Sequence, residues 1–223
     1  MREVTKNGQK FLVNDPPSYP EFWTLVENGK WEPDTFDIFD WYLKHNTTYV
    51  DIGAWIGPTL MYASRLVTDG ECYGFEPDPA AHRMLQAHLE LNKVRCTVAN
   101  LAVNSYDGDV RMGSEMLGNS ETRMGFSPNS FGVSCQTLST LARRFSWRDP
   151  LFIKMDVEGG EEEILSSSLD FFARKLPTLY VSLHPWLFKD PDRMGRTINS
   201  LTEMYSEGRT FVYPSAFLFV GAQ

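Results

Sequence analysis

A run of carboxylates follows an apolar segment in residues 151–165, LFIKMDVEGGEEEIL. Asp156 and Glu158 come directly after the strand-forming residues, and the two glycines that follow allow a sharp turn. The acidic residues 161–163 suit the first turn of a helix, whose N-terminus attracts negative charge, and we interpret them as structural. Asp156 and Glu158 are therefore the carboxylates that we expect to face a ligand.

A histidine follows a second apolar segment, TLYVSLHP, and is our first candidate for a catalytic base. His184 carries an imidazole, which titrates near neutral pH and can take a proton from an acceptor hydroxyl. Asp156 is the second candidate for this role. A purely structural histidine, which only caps the turn before Pro185, remains an equally open alternative.

The same carboxylates raise the question of a metal. Mg²⁺ prefers carboxylate oxygens and keeps several waters, so Asp156 and Glu158 offer suitable ligands. Nothing in their spacing demands an ion, and the four histidines do not have the spacing of zinc ligands. We therefore predict a site without metal ligands and keep Mg²⁺ at these two carboxylates as an alternative.

The segment DIGAWIG forms a glycine turn between a strand and a helix. Gly53 and Gly57 would allow a ligand to approach the backbone closely, with Asp51 at the end of the strand. The pattern is DxGxxxG, and Trp55 stands where a pyrophosphate-binding loop keeps a glycine. This favours a nucleoside ligand over a dinucleotide, although the glycines could serve backbone geometry alone.

The next predicted strand ends in GFEP, which places Glu76 and Pro77 at the same edge. An acidic residue about 20 residues beyond the glycine turn is positioned to accept hydrogen bonds from ribose hydroxyls. The alternative is an exposed glutamate at a strand end. Because both motifs occur in the expected order, we favour the ribose role for Glu76.

Strand-like and helix-like segments alternate along most of the chain. This pattern predicts an α/β fold with a doubly wound, mostly parallel sheet that ends in an antiparallel C-terminal hairpin. Ligands of such sheets bind at the carboxyl ends of the strands, which would gather Asp51, Glu76, Asp156 and His184 at one edge. The predicted strands are TTYVDIG, ECYGFEPD, VRCTVANLAV, residues 133–137, LFIKMD, TLYVSLHP, RTFVYP and FLFVGAQ.

Two further segments complete the predicted organisation. Residues 1–45 form an N-terminal helical cap or lid rich in aromatic residues, and residues 46–223 form the main domain. Within it, residues 112–132 are rich in Gly, Ser, Asn and Met, which predicts a long functional or disordered loop. We expect the lid and this loop to shape an acceptor pocket, although their aromatic and Met residues could equally be ordinary core and surface.

Composition narrows the possible partners. The net charge of −8 disfavours nucleic acid and anionic membrane surfaces, both of which attract basic proteins. No apolar segment has the length of a signal peptide or a membrane span. The three cysteines, Cys72, Cys96 and Cys135, form neither a CxxC motif nor a disulfide framework. We therefore expect a cytoplasmic protein with a small-molecule or glycan partner.

Taken together, DIGAWIG, FEP and IKMDVEGGEEEIL resemble the FkbM-type S-adenosylmethionine-dependent methyltransferases, from about residue 47 to about residue 185. The KxDVEGxE block is the most specific part. The resemblance implies the seven-stranded class I methyltransferase sheet, S-adenosylmethionine as cofactor, and O-methylation of a sugar, glycan or natural-product hydroxyl. Two acceptor-side positions depart from the family pattern, Ser139 and Ser182, where acidic residues are usual.

The resemblance also implies roles for individual residues. The glycine turn would line the methionine and ribose end of the cofactor, GFEP the ribose, and the segment after the third strand the adenine. The cofactor residues so implied are Asp51, Gly53, Ala54, Gly57, Glu76, Pro77, Asn100, Ala102 and Asp156. His184, Asp156 and Glu158 would face the transferred methyl group and the acceptor.

Two other functions remain open at this stage. The altered acceptor side is compatible with a catalytically silent protein that keeps the methyltransferase fold and only binds a cofactor or partner. An NAD-dependent oxidoreductase on a similar sheet is disfavoured, because the chain lacks the GxGxxG turn that holds a pyrophosphate.

Overall fold

A mixed α/β sheet forms the centre of the protein. The computed structural model describes residues 1–125, 129–205, 210–212 and 215–221. Its strands, in chain order, are β1 Arg2–Lys6, β2 Gln9–Val13, β3 Thr48–Ile52, β4 Glu71–Phe75, β5 Thr97–Ala99, β6 Ala102–Val103, β7 Gly108–Ser114, β8 Arg123–Met124, β9 Asn129–Gln136, β10 Leu151–Met155, β11 Thr178–Ser182, β12 Thr210–Val212 and β13 Ala216–Phe219.

Helices connect these strands and cover both faces of the sheet. In chain order they are α1 Phe22–Glu27, α2 Pro33–Tyr42, α3 Pro58–Leu66, α4 Pro79–Leu91, α5 Leu138–Arg144, α6 Glu161–Ser167, α7 Leu169–Lys175 and α8 Pro191–Met204. A short 3₁₀ helix, Pro185–Leu187, follows β11. None of the helices in the described part of the chain is both long enough and apolar enough to cross a bilayer.

The central sheet has the strand order β12-β13-β11-β10-β3-β4-β5 within the described residues. Strands β11, β10, β3, β4 and β5 run parallel to one another, and β13 is antiparallel to both of its neighbours. The mixed, mostly parallel α/β sheet expected from the sequence is thus present. The turn of the C-terminal hairpin, residues 213–214, lies outside the described residues.

Two strand predictions are wrong in detail. The predicted third strand is divided between β5, in the central sheet, and β6, which belongs to a second sheet with order β6-β9-β7-β8. The strand predicted at residues 133–137 is also in that second sheet, as part of β9. The chain leaves the central sheet after Ala99 and forms a separate β layer above its carboxyl edge.

Both ends of the predicted long loop at residues 112–132 belong to this second sheet, as does β8 within it, whereas residues 115–122 form turns and irregular structure. Strands β7 and β9 pair antiparallel along Gly108–Ser114, and β8 pairs with β7. Apolar side chains alternate there, with Met112 on one strand and Val133 and Cys135 on the other, and they form a small core of their own. The Gly- and Ser-rich composition concealed this period of two. Residues 126–128 lie outside the described part.

Alternation along the central strands builds one core on each face of the sheet. Tyr49 and Phe152 pack on the face covered by the N-terminal segment, α3 and α4. Val50 and Ile153, their neighbours along the chain, pack on the opposite face against α5–α8. Because both faces are covered, β3 and β10 are buried along their whole length.

The N-terminal 45 residues differ from a simple helical cap. They begin with the hairpin β1–β2, which the sequence reading missed, and continue into α1 and α2. Val4, Phe11 and Val13 alternate with exposed residues, and all three are buried in the core of the central sheet. This segment is therefore an integral part of that core.

We predict that Phe39→Ala lowers the free energy of unfolding by about 3–5 kcal/mol, because a large buried side chain leaves a cavity. Phe39 is fully buried, and its ring lies 5.3 Å from that of Tyr49 and 5.7 Å from that of Phe152. Urea denaturation measures the change. The control is Trp41→Ala on the same helix, where the side chain is 67% exposed and the loss should be small. Equal effects would contradict this packing.

Candidate active site

Two adjoining cavities open at the carboxyl edge of the central sheet. The smaller one, of about 50 Å³, lies between the glycine turn, the end of β4 and the second sheet. The larger one, of about 470 Å³, lies between the glycine turn, the end of β10 and His184. Gly53, Trp55, Asp156 and Glu158 line both cavities and form the border between them.

The glycine turn brings its backbone against the neighbouring strand. A Cβ on Gly53 would lie 1.8 Å from the carbonyl oxygen of Asp156, and Gly53 has φ +82°, so this position requires glycine. Gly57 has φ +92°, and a Cβ there would lie 2.5 Å from a methyl group of Leu85. Gly53 therefore borders the cavities directly, whereas Gly57 permits the contact between α3 and α4.

Glu76 lines the smaller cavity. The residue is buried, with 4% of its surface exposed. Its two oxygens accept hydrogen bonds from the backbone N–H of Trp55 and of Asp78, each at 2.8 Å. Burial raises the pKa of Glu76 to about 8, against the opposing effect of those two bonds. These two bonds fix the carboxyl group in place, and its oxygens can still accept hydrogen bonds from a ligand.

Asn100 supports this wall from behind. Its Nδ2 donates to the carbonyl oxygens of Glu76 and Pro77, at 2.9 and 2.8 Å. The next residues, Ala102 and Val103, line the smaller cavity together with Leu101 and Ile52. The pocket therefore combines the fixed carboxyl group of Glu76 with an apolar wall, which suits a flat apolar ring attached to a polyol.

A row of polar side chains crosses the sheet beneath the larger cavity. Asp51, Lys154 and Tyr180 are register neighbours on β3, β10 and β11. Lys154 Nζ lies 3.7 Å from Asp51 Oδ1 and 3.5 Å from Asp156 Oδ2. Asp51 is fully buried, and its Oδ2 accepts from the hydroxyls of Tyr49 and Thr59. Asp51 lines neither cavity and acts as a buried partner of Lys154.

Lys154 belongs to this site, and the sequence analysis assigned it no role. Burial alone would lower the pKa of this ammonium, but the carboxylates of Asp51 and Asp156 outweigh burial and raise the pKa above its usual value. Lys154 also lines the larger cavity. The available signal was a lysine between Ile153 and Met155 in an otherwise apolar strand.

Asp156, Glu158 and Glu161 surround the imidazole of His184. Its Nδ1 lies 2.8 Å from Glu161 Oε1, which is hydrogen-bond distance. Its Nε2 lies 3.7 Å from Asp156 Oδ1 and 3.5 Å from Glu158 Oε1, which are longer contacts. Glu158 has φ +53°, a conformation that side-chain-bearing residues rarely adopt and that is common at functional sites.

These charges shift the protonation of the cluster. Burial lowers the pKa of His184, but the hydrogen bond to Glu161 and the charges of Asp156, Glu161 and Glu158 raise it to about 9. Burial raises the pKa of Glu158 to about 7, with His184 lowering it and Asp156 raising it. At neutral pH, His184 is therefore an imidazolium, held by acidic neighbours.

The cluster is a poor match for a metal ion. Asp156, Glu161 and His184 each have one ligand atom within 4.8 Å of the others. Glu161 is already engaged, because Oε1 accepts from Val157 N–H and faces His184 Nδ1, while Oε2 accepts from Gly159 N–H. The Mg²⁺ alternative at Asp156 and Glu158 likewise has no support beyond their proximity.

Aromatic side chains flank the larger cavity. Trp186 in the 3₁₀ helix is 73% exposed, and its ring stands nearly perpendicular to that of His184 at 5.4 Å. Trp31 and Glu32, from the segment before α2, contribute to the opposite wall. Burial, together with repulsion from Asp156, raises the pKa of Glu32 to about 7.

The structure thus divides the predicted site residues into two groups. One group lines the cavities: Gly53, Ala54, Glu76, Pro77, Ala102, Asp156, Glu158 and His184. The other group lies behind the walls and supports them: Asp51, Gly57 and Asn100. Sequence reasoning missed Lys154, Glu161 and Glu32, because their importance depends on neighbours from other strands and helices.

Comparison with known proteins agrees with this geometry. Residues 51–207, more than half of the chain, match the family model of the Methyltransferase FkbM domain. Methyltransferase FkbM from Methylobacillus flagellatus KT superimposes with a TM-score of 0.53 at 16% identity, over 93% of this chain and 56% of that one. This chain therefore spans little more than half the length of that protein. No protein of curated function matches the sequence significantly.

A second solved structure shares the fold. Aeropyrum pernix fibrillarin, solved with natively bound S-adenosyl-L-methionine, has a TM-score of 0.52 at 12% identity, over 98% of this chain and 81% of that one. At such identities the likeness concerns the fold, which is that of the α/β methyltransferases. The match over residues 51–207 goes further, and this chain belongs to the FkbM family of S-adenosylmethionine-dependent methyltransferases.

We predict a pH dependence of stability that comes from His184. The pKa of His184 is higher in the folded protein, about 9, than in the unfolded chain, about 6.5, so the protonated imidazole stabilises the fold. This stabilisation is fully present below about pH 6.5 and is lost as the pH rises through about 9. The difference in unfolding free energy between wild type and His184→Ala should shrink by on the order of 2–3 kcal/mol between pH 6 and pH 9.5. Urea denaturation at both pH values measures it.

The matched control for this experiment is Trp41→Ala, an exposed side chain that does not titrate. Its difference from wild type should be the same at both pH values. A His184→Ala difference that is also independent of pH would contradict the raised pKa of His184.

Proposed function

We propose that this protein is an O-methyltransferase that transfers a methyl group from S-adenosylmethionine to a hydroxyl of a sugar, glycan or natural-product acceptor. The observation that carries the proposal is the border between the two cavities. There, a pocket with one fixed carboxyl group adjoins a wider cavity that contains an imidazole surrounded by carboxylates. Family membership supports the same chemistry.

The smaller cavity suits the nucleoside part of the cofactor. Glu76 would accept hydrogen bonds from the ribose hydroxyls, and the apolar residues Leu101, Ala102 and Val103 would lie against the adenine. The glycine turn, with Gly53 and Ala54, would carry the methionine part towards Asp156. At Gly53 the turn packs against the carbonyl oxygen of Asp156, so the glycine turn and the end of β10 form a continuous wall there.

The larger cavity suits a hydroxylated acceptor. Its volume of about 470 Å³ is in the range of small-molecule sites. The carboxylates of Asp156 and Glu158 accept hydrogen bonds from hydroxyls, and the exposed ring of Trp186 offers an apolar face to the C–H groups of a sugar. An alternating polar and apolar lining of this kind favours a sugar-like acceptor over a purely apolar one.

The mechanism depends on alignment and proton removal. The bound cofactor supplies an electrophilic methyl group on a sulfonium. Asp156 and Glu158 orient the acceptor hydroxyl, and alignment of this kind supplies a large part of the acceleration. His184 Nε2 lies 3.5–3.7 Å from these carboxylates, which is longer than a good hydrogen bond, so a hydroxyl placed beside them could contact both Nε2 and a carboxylate oxygen. His184 in its neutral form then accepts the hydroxyl proton.

We predict that S-adenosylmethionine and S-adenosylhomocysteine raise the unfolding midpoint while NAD does not. A ligand at about 100 times its Kd stabilises by roughly 2.7 kcal/mol, which corresponds to about 5–10 °C for this length. Glu76→Ala should weaken cofactor binding about 10- to 100-fold, because it removes hydrogen bonds to two ribose hydroxyls, each worth about 0.5–1.5 kcal/mol. Differential scanning fluorimetry and calorimetry measure both effects.

The matched control is Glu71→Ala, an exposed residue at the opposite end of the same strand. It should bind the cofactor like wild type. A shift with NAD alone, or no shift with either sulfur ligand, would refute the cofactor assignment. Binding of the cofactor without turnover on any hydroxylated acceptor would instead favour a silent methyltransferase-fold protein.

We predict that His184→Ala keeps cofactor binding but lowers turnover at least about 100-fold, the usual contribution of a positioned base. In wild type, kcat/KM should rise with pH up to about 9, since only the neutral imidazole can accept a proton. Release of S-adenosylhomocysteine with a panel of methyl glycosides measures the rates. Near-normal turnover in the variant would assign the base to Asp156.

A further inference from the structure

Three consecutive glutamates begin α6, and the structure gives each a different environment. Glu162 accepts from the backbone N–H groups of Lys189 and Asp190 and from Arg193, and so anchors the start of α8. Glu163 pairs with Lys189 at the surface. Glu161 alone points towards the catalytic cluster, although the sequence offered it only a structural role at the helix N-terminus.

Glu161 is fully buried and lines neither of the two cavities. It therefore acts on a ligand only through another residue. Its side chain turns back over the segment that connects β10 to α6. There, Val157 N–H donates to Oε1 at 3.1 Å and Gly159 N–H donates to Oε2 at 3.0 Å. These bonds fix the turn that holds Glu158 in its left-handed conformation.

The third bond of Glu161 determines the state of the imidazole. Backbone N–H groups only donate, so both carboxyl oxygens of Glu161 act as acceptors. His184 Nδ1, at 2.8 Å from Oε1, must then carry the hydrogen of this bond. When His184 is neutral, its lone pair is consequently on Nε2, the nitrogen beside Asp156 and Glu158.

We propose that Glu161 is the positioning residue of the site, which holds His184 in the Nδ1–H tautomer and directs the Nε2 lone pair towards the acceptor hydroxyl. This inference deepens the proposed function and rests on it for the role of the acceptor. The same carboxylate fixes the turn of Glu158, so one buried side chain orients both groups that face the acceptor.

The charge of Glu161 also influences the pH above which His184 is neutral and can accept a proton. The charged groups that face the imidazole are Glu161 from α6 and Asp156 and Glu158 from the segment after β10. Lys154 offsets part of the Asp156 charge, and Glu121, in the segment between β7 and β8, acts on Glu158. Glu161 makes the short hydrogen bond among these contacts, so its loss should lower the pKa of His184 the most.

The test uses ¹⁵N NMR of the imidazole in the full-length protein, which reports tautomer and titration without any acceptor. Wild type should show a protonated Nδ1 and an unprotonated Nε2 above its titration midpoint. Glu161→Gln should lower that midpoint by at least about one pH unit, since it removes the charge but keeps the shape. Glu163→Gln, on the same helix at the surface, is the matched control and should titrate like wild type.

Two outcomes would overturn the proposal. One is a neutral wild-type imidazole protonated on Nε2, a measurement that needs no variant. The other is a folded Glu161→Gln protein whose His184 titrates as in wild type. If circular dichroism shows that Glu161→Gln does not fold, Glu161→Asp replaces it. This variant keeps the charge but draws the carboxylate away from Nδ1, so the neutral imidazole should lose its preference for the Nδ1–H tautomer, and an unchanged tautomer would refute the proposal.

The same samples separate this proposal from the proposed function. Glu161→Gln should keep the thermal shift with S-adenosylhomocysteine, because Glu161 lines no cofactor wall. If wild type itself shows no shift with that ligand, the cofactor assignment fails while the tautomer result stands. If wild type binds the ligand but the imidazole is protonated on Nε2, the positioning role fails while the cofactor assignment stands.

Discussion

The buried ammonium of Lys154 is the interaction on which the site depends. It lies between Asp51, inside the sheet, and Asp156, at its edge, and it is almost completely shielded from solvent. Removal of one member of such a buried group typically costs 3–5 kcal/mol, because the remaining charges lose their partner. Lys154 therefore compensates the charges of Asp51, inside the sheet, and Asp156, at its edge, and it orients the side chain of Asp156.

From this fixed carboxylate the rest of the site follows by short-range contacts. Asp156 faces His184, His184 is bonded to Glu161, and Glu161 holds the turn that carries Glu158. The sheet thus supplies rigid starting points, while the segments at strand ends supply the reactive groups. Trp55 and Glu158 both adopt left-handed conformations at these ends, which places local strain at the border between the two cavities.

The sequence predicted the central sheet well, because covered parallel strands are nearly continuous apolar runs that end in turn residues. It also located Glu76, Asp156 and His184, since each follows such a run. The second sheet was missed because its strands carry Gly and Ser between the alternating apolar residues. Lys154 and Glu161 were missed for a different reason: their roles depend on Asp51 and His184, which are distant along the chain.

One contact of the second sheet affects how a ligand reaches the smaller cavity. Gly118 comes directly before the cavity-lining residues Asn119 and Ser120, and its N–H donates to Asp78 while its carbonyl oxygen accepts from the indole of Trp55. The two bonds tie the segment between β7 and β8 to the start of α4 and to the glycine turn, and so hold it against the smaller cavity. Opening of these bonds would release this wall of the cavity. A substitution at Gly118 would therefore change the affinity for a ligand of this cavity without contacting that ligand, through the population of the form in which the wall is in place.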